Sequence, residues 1–199
     1  MGGAGTGTPV TELAAGSLTF LVLAQRLRQE AGISGSGPTT VVSQSGEMGR
    51  VVDWILAAYQ DIQNAHATWR FMRESFSFST IDGQQEYTPA QAGVINMGAW
   101  ITDTISLYSS VSDESFIDYV AWNFFKSNYW VGSHRTTESR PTVVTVTPGN
   151  SLALWQIPDA VYTCRGEYSK TAVTMTVNTD TPIIPIRFQL AIVWKALMY

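Results

Sequence analysis

Charge is scarce in this chain: only 14% of its 199 residues are Asp, Glu, Lys or Arg, against roughly a quarter in an average soluble domain. Twelve basic residues and a net charge of −4 exclude a protein that grips nucleic acid by neutralising phosphates, since each contact needs a Lys or Arg. An acidic balance is compatible with DNA sliding past without sticking. Cysteine occurs once, at Cys164, which excludes an intrachain disulfide and any multi-cysteine metal site. Its place in the run Val161-Tyr162-Thr163-Cys164 reads as a small buried hydrophobe. No apolar run approaches the ~20 residues of a membrane-spanning helix. Met1 to Gly16 has no basic stretch ahead of its apolar residues, so it does not read as a secretory signal. With so little charge, the surface must be uncharged Ser, Thr, Gln, Asn and Gly, or be covered by other subunits.

What is present is a core's worth of apolar side chains. Hydrophobic residues make up 45% of the chain and aromatics 12%, with seven Trp, enough for one domain with a smaller appended subdomain. The Gly-, Ala- and Thr-rich residues 1–17 read as a flexible arm. A first helix is expected after Ser17 or Thr19 and ends at Gly32, with Phe20, Leu23, Ala24, Leu27 and Ala31 on one face. A Gly- and Pro-rich loop follows. A long central helix from Gly46 to Thr68 then carries the seam Val51, Ile55, Ala58, Ile62, Ala65 and Trp69.

After Arg73 the period changes to two, with Phe76 and Phe78 alternating with serines. Asp82-Gly83 reads as a hairpin turn returning through Glu86-Tyr87-Thr88, and another strand is expected near Trp100 to Leu107. A third helix is expected from Asp113 to Ser127, then a three-strand meander over Thr142–Thr147, Ser151–Gln156 and Val161–Tyr168. A final helix from Pro185 places Ile186, Leu190, Val193, Trp194 and Leu197 on one face. The fold class is α+β: a small helical bundle (18–74, 112–130 and 183–199) with inserted antiparallel β-hairpin and meander segments (75–110 and 140–170).

Catalytic chemistry is hard to find. His66 and His134, the two histidines, are not at metal-ligand spacing; His66 reads as a core or boundary residue and His134 as a solvated loop residue. Gly35-Ser36-Gly37 lacks the nucleophile-elbow frame, and neither it nor the Gly2–Gly7 string follows a strand as a phosphate loop would. Asp113-Glu114 suits a helix N-terminus, and the dipole of the first helix accounts for Arg26 and Arg28 near its end. No enzyme, metal or cofactor is expected. Phe124-Phe125-Lys126-Ser127-Asn128-Tyr129-Trp130 is too apolar for a free loop end, leaving an interface and a core role both open.

Several short motifs together resemble the head-to-tail adaptor (connector) proteins of tailed bacteriophages. They are Gln25-Arg26-Leu27-Arg28-Gln29-Glu30-Ala31-Gly32, Ser34-Gly35-Ser36-Gly37-Pro38, Trp69-Arg70-Phe71-Met72-Arg73, Arg140-Pro141, Leu152-Ala153-Leu154-Trp155, Pro158-Asp159, Gly166-Glu167-Tyr168 and Ile192-Val193-Trp194-Lys195-Ala196-Leu197. The similarity runs from about Leu18 to Tyr199. It implies a structural virion protein at the neck, assembled in the host cytoplasm. Such a protein forms a dodecameric ring with itself beneath the portal protein and carries the tail nozzle, another tail protein or tail fibres. DNA passes through the lumen without specific binding, and no membrane is involved. On this reading Arg26, Arg28, Phe125, Tyr129, Trp130, Arg135, Arg140, Trp194 and Tyr199 are expected at subunit or partner interfaces. The alternative is a tail-associated module that binds carbohydrate or host, or completes the tail.

Overall fold

The structure is a computed structural model that describes residues 16–35, 37–66 and 68–199. Most of the expected N-terminal arm, with its Gly2–Gly7 string, and Ser36 of the glycine loop lie outside the described residues. In chain order the helices are α1 (Phe20–Glu30), α2 (Gly46–Asn64), α3 (Trp122–Asn128) and α4 (Leu190–Ala196). The strands are β1 (Arg73–Ser79), β2 (Glu86–Tyr87), β3 (Met97–Tyr108), β4 (Ser115–Phe116), β5 (Asp118–Tyr119), β6 (Val143–Val146), β7 (Leu152–Trp155) and β8 (Thr163–Lys170). The fold is α+β, and the chain divides into two compact units, residues 1–62 with 174–199 and residues 63–173. Residues 112–130, grouped with the helices on sequence grounds, belong to the second unit.

The first unit is helical. Thr19 caps α1, its Oγ1 accepting the Val22 N–H at 3.4 Å, which satisfies one of the unpaired donors of the first turn. Phe20, Leu23, Ala24 and Leu27 are buried on one face, as their spacing requires. Ala31 lies past the last helical turn and is exposed. In α2, Val51, Val52, Ile55, Ala58 and Tyr59 are buried, while Asp53, Gln60 and Asp61 face solvent.

The expected continuation of α2 to Thr68 does not occur. His66 Nδ1 accepts the Thr68 N–H at 3.2 Å, a local side-chain bond that competes with the helical ladder. His66 and Ala65 are exposed, which corrects the core or boundary reading of this histidine.

The C-terminal segment packs α4 against α1, through a buried face that shares Val193 with the one expected. A single 3-10 turn, Ile186–Phe188, precedes the helix. That turn winds at about three residues per turn instead of 3.6 and so shifts the stripe. Gln189, Ile192, Val193 and Ala196 are buried, whereas Ile186, Trp194 and Leu197 are exposed.

The second unit holds two four-stranded sheets, ordered β1-β8-β3-β4 and β2-β7-β6-β5. Pairing is antiparallel except for β5 with β6. Residues of both sheets share one core, including Phe76, Tyr87, Trp100, Ile105, Leu107, Leu152, Leu154 and Cys164. Burial pushes the Cys164 thiol up to about 12. Gly166 lets the Phe76 ring rest on β8, because a Cβ there would sit 3.0 Å from that ring. The two ends of the unit are tied by Gln63, whose side-chain amide donates to Val173 O and accepts the Val173 N–H, each at 2.9 Å.

Three expectations about pairing are corrected. The Asp82-Gly83 turn forms, with Gly83 at φ +77°, yet it joins strands of different sheets: β1 pairs with β8 and β2 with β7. Likewise β6 and β7 form a hairpin, but the third meander strand crosses to the other sheet as β8, between β1 and β3. The helix expected from Asp113 begins only at Trp122. Asp113 instead closes a capping box with Ser110 around one 3-10 turn, after which the chain is extended as β4 and β5.

Candidate interface surfaces

One surface patch lies on the C-terminal segment of the first unit. Trp194 is 62% exposed and Ile186 57%, with Phe188, Leu197 and Met198 also exposed. Ile186 stands in the 3-10 turn and Trp194 in α4, with the half-buried Leu190 between them in sequence. Several large exposed apolar side chains within one short segment mark an interaction site more often than singly scattered ones do. Tyr199 is anchored beside it. Its hydroxyl donates to the Asp61 carboxylate, and Lys195 Nζ lies 3.5 Å from the same group. The Tyr199 bond, followed by the Lys195 charge, holds the Asp61 carboxyl below its usual range, and the same bond raises the Tyr199 phenol.

A second patch surrounds α3. Phe125 is fully buried, packed with Val143 and Ala153. The interface expectation for this residue is therefore corrected to a core role within the subunit. Tyr129 and Trp130 are half-buried. Tyr129 lies 4.4 Å, centroid to centroid, from Trp155, and Trp122 meets Trp130 edge-on at 5.2 Å. The exposed aromatic here is Phe124, at 54%, one position from the residue that sequence reasoning chose. Trp155 Nε1 donates to His134 O at 2.9 Å, and the Arg135 guanidinium lies 6.0 Å from the Trp130 ring. Trp122, Lys126, Trp130 and Arg135 enclose a notch of about 230 Å³.

Of the remaining expected interface arginines, Arg26 and Arg140 make ion pairs inside the subunit and Arg28 packs along a loop with its Nε buried. Arg26 pairs with Glu30 one turn on at 2.6 Å, a helix-surface pair of small stabilising effect. Arg28 runs along the glycine loop, with its Cδ 3.5 Å from where a Gly37 Cβ would stand. Arg140 acts as a fork. One of its terminal nitrogens donates to Asp113 Oδ2 at 2.9 Å, and the other to Leu107 O at 2.8 Å and Asp113 O at 2.7 Å. Such fork geometry suits a guanidinium that fixes a loop, so Arg140 holds the fold, with its side chain 31% exposed.

Hydrogen bonds from Ser109 and Ser110, together with the Arg140 charge, lower the Asp113 carboxyl to about 2. A depressed acid contributes stability that is complete above its unfolded value, near 4, and lost as pH falls through the folded value. Lowering the pH from 4 to 2 should thus release this loop. Ser109 and Ser110 amide resonances should titrate with a midpoint near pH 2; a midpoint near 4 would show that the carboxylate is unengaged.

A larger cavity of about 730 Å³ lies on the β1-β8-β3 face, lined by Ser75, Asp103, Thr104, Arg165 and Glu167 among others. Two of its charges are matched within the unit: Arg165 pairs with Glu114, and Glu167 with Arg73, each at 2.6 Å. Among the described residues, no group of three or more His, Cys, Asp or Glu could hold a metal ion. No described helix is long and apolar enough to cross a membrane.

An α+β subunit whose unmatched features are exposed apolar and aromatic patches belongs to the class of assembly proteins, which act through whom they touch. The family model for SU10 adaptor protein matches residues 18–199, and the chain belongs to that family of phage head–tail adaptors. It is a structural phage component of the head–tail junction that interacts with other head or tail proteins. The carbohydrate-binding alternative is not favoured. No curated protein matches the chain.

Proposed function

We propose that this adaptor assembles with itself into a ring of twelve beneath the portal protein, and that the ring carries the tail nozzle or another tail protein. DNA passes through its lumen without specific binding during ejection, and the ring is built in the host cytoplasm before joining the virion neck. A ring requires a heterologous contact, two different patches on every copy. The observation that carries this reading is the exposure of Ile186, Phe188 and Trp194 in one short segment, on a chain whose low charge tolerates enclosure by neighbours. The notch beside Trp130 and Arg135 supplies a second surface.

Trp194→Ser tests the reading. A surface change of this kind alters subunit stability by about 0.5 kcal/mol or less, so circular dichroism and thermal unfolding should match the unaltered protein. Assembly with the portal, followed by mass measurement and negative-stain imaging, should be lost. An unaltered protein that stays monomeric in the presence of portal would overturn the ring.

A further inference from the structure

Lysine occurs three times in this chain, at Lys126, Lys170 and Lys195. Two of the three are neutralised within the subunit: Lys170 lies 2.5 Å from Glu74, and Lys195 lies 3.5 Å from Asp61. Lys126 has no carboxylate partner among the described residues, and neither does Arg135, which lines the same notch. Six of the twelve basic residues have no carboxylate partner among the described residues, and two of them, Lys126 and Arg135, share this notch. The indole face of Trp130 accommodates the guanidinium, and the edge-on contact of Trp122 with Trp130 fixes the walls. The bond from Trp155 to the His134 carbonyl pins the turn that carries Arg135. The aromatic walls and the turn are held in place, while the Lys126 and Arg135 side chains are exposed and open to an anionic group.

We infer that the notch between Trp122 and Trp130 is a carboxylate receptor that takes an acidic side chain from a second copy of this chain. Two cations in one pocket do not track a phosphate backbone, which needs a row of them. The chain itself supplies the complement: it has sixteen acidic residues to twelve basic, and exposed acids such as Glu47 and Asp53 on α2 have no ion-pair partner among the described residues. In a heterologous ring each copy presents both the receptor and the acid, so one charge pair repeats around the assembly. Such pairs set register and rate of association. The inference rests on the ring reading above and names the chemistry of one of its contacts.

The test uses a mixture of ¹⁴N- and ¹⁵N-labelled full-length protein assembled with its portal, then treated with a carbodiimide that couples amines directly to touching carboxylates. Mass spectrometry should find Lys126 joined to an acidic residue in mixed-label pairs, while Lys170 and Lys195 couple within one chain to Glu74 and Asp61. Lys126→Gln/Arg135→Gln should keep its circular dichroism spectrum, lower the yield of assembled ring roughly tenfold, and remove the salt sensitivity of assembly. Rings that form without a mixed-label Lys126 product, or a double variant that assembles like the unaltered protein, would overturn the receptor and leave the ring standing. Failure of the unaltered protein to form rings with portal would overturn both.

Discussion

Replacing Phe125 with Ala should unfold the β-rich unit at a temperature lower by on the order of 10 °C or more, even in the isolated subunit. The ring is completely buried, at 0% exposure. It is edge-on to Trp130 at 6.0 Å, tilted to Tyr129 at 5.7 Å, and stacked near Trp122 at 6.2 Å. Truncation removes the transfer free energy of the phenyl group and leaves a cavity that α3, two turns long, can only partly close. Phe→Ala changes of this kind cost ~3–5 kcal/mol, a large share of the ~5–15 kcal/mol that holds a domain folded. Near-UV circular dichroism should fall with the loss of the fixed aromatic array. Phe124→Ala is the control: its side chain is half in solvent, and its removal should change the unfolding temperature little. If Phe125→Ala instead melted normally and failed only to assemble, Phe125 would be an interface residue and its packing here would be wrong.

The contrast between Phe124 and Phe125 shows how far the sequence could be read. The aromatic run was conspicuous enough to mark the region, but a helix of seven residues has too few turns for periodicity to say which side faces inward. Where a pattern was long and capped, reading succeeded: Thr19 and four buried positions define α1. At α4 two stripes compete, and the one with the larger side chains, Ile186 and Trp194, is the one left in solvent. Sequence reading placed Trp194 both in the apolar stripe and among the interface residues; the buried face is formed by Gln189, Ile192, Val193 and Ala196.

Strand positions were more legible than strand partners. Alternation locates Phe76 and Phe78, and Asp82-Gly83 locates a turn, because both signals are local. Whether β1 pairs with β2 or with β8 depends on which arrangement buries Tyr87, Trp100 and Leu154 in one core, a choice made by residues far apart in the chain. The internal fork of Arg140 was hidden for the same reason. Its partners Leu107 and Asp113 lie 33 and 27 positions away, and nothing adjacent to Arg140-Pro141 separates a fork within the fold from a surface charge.

Gln189→Leu should be the most damaging single change in the helical unit. The Gln189 side chain is 1% exposed, and its Oε1 accepts the Leu18 N–H at 2.7 Å. Its Nε2 donates to Ser17 Oγ at 2.8 Å, Ile184 O at 3.0 Å and Pro182 O at 3.3 Å. One amide therefore joins the strand-like entry to α1, the Pro182–Ile184 segment and the start of α4. Leucine conserves most of the volume but neither bond type, so the Leu18 N–H and two carbonyls lose their partner. Each buried group left unpaired costs ~1–3 kcal/mol, and the total should be about 3–5 kcal/mol, read as a lower urea midpoint with an unchanged slope. Gln189→Glu separates hydrogen bonding from shape. The ionised carboxylate still accepts from Leu18 but faces the Pro182 and Ile184 carbonyl oxygens with no proton to share, whereas the protonated acid can both accept and donate. This variant should therefore lose stability relative to the unaltered protein at neutral pH and recover part of it in mild acid, a carboxyl of raised pKa favouring the fold only while protonated. Equal stability of Gln189→Leu and the unaltered protein would show that the network is dispensable and that α1 and α4 are held by their apolar faces alone.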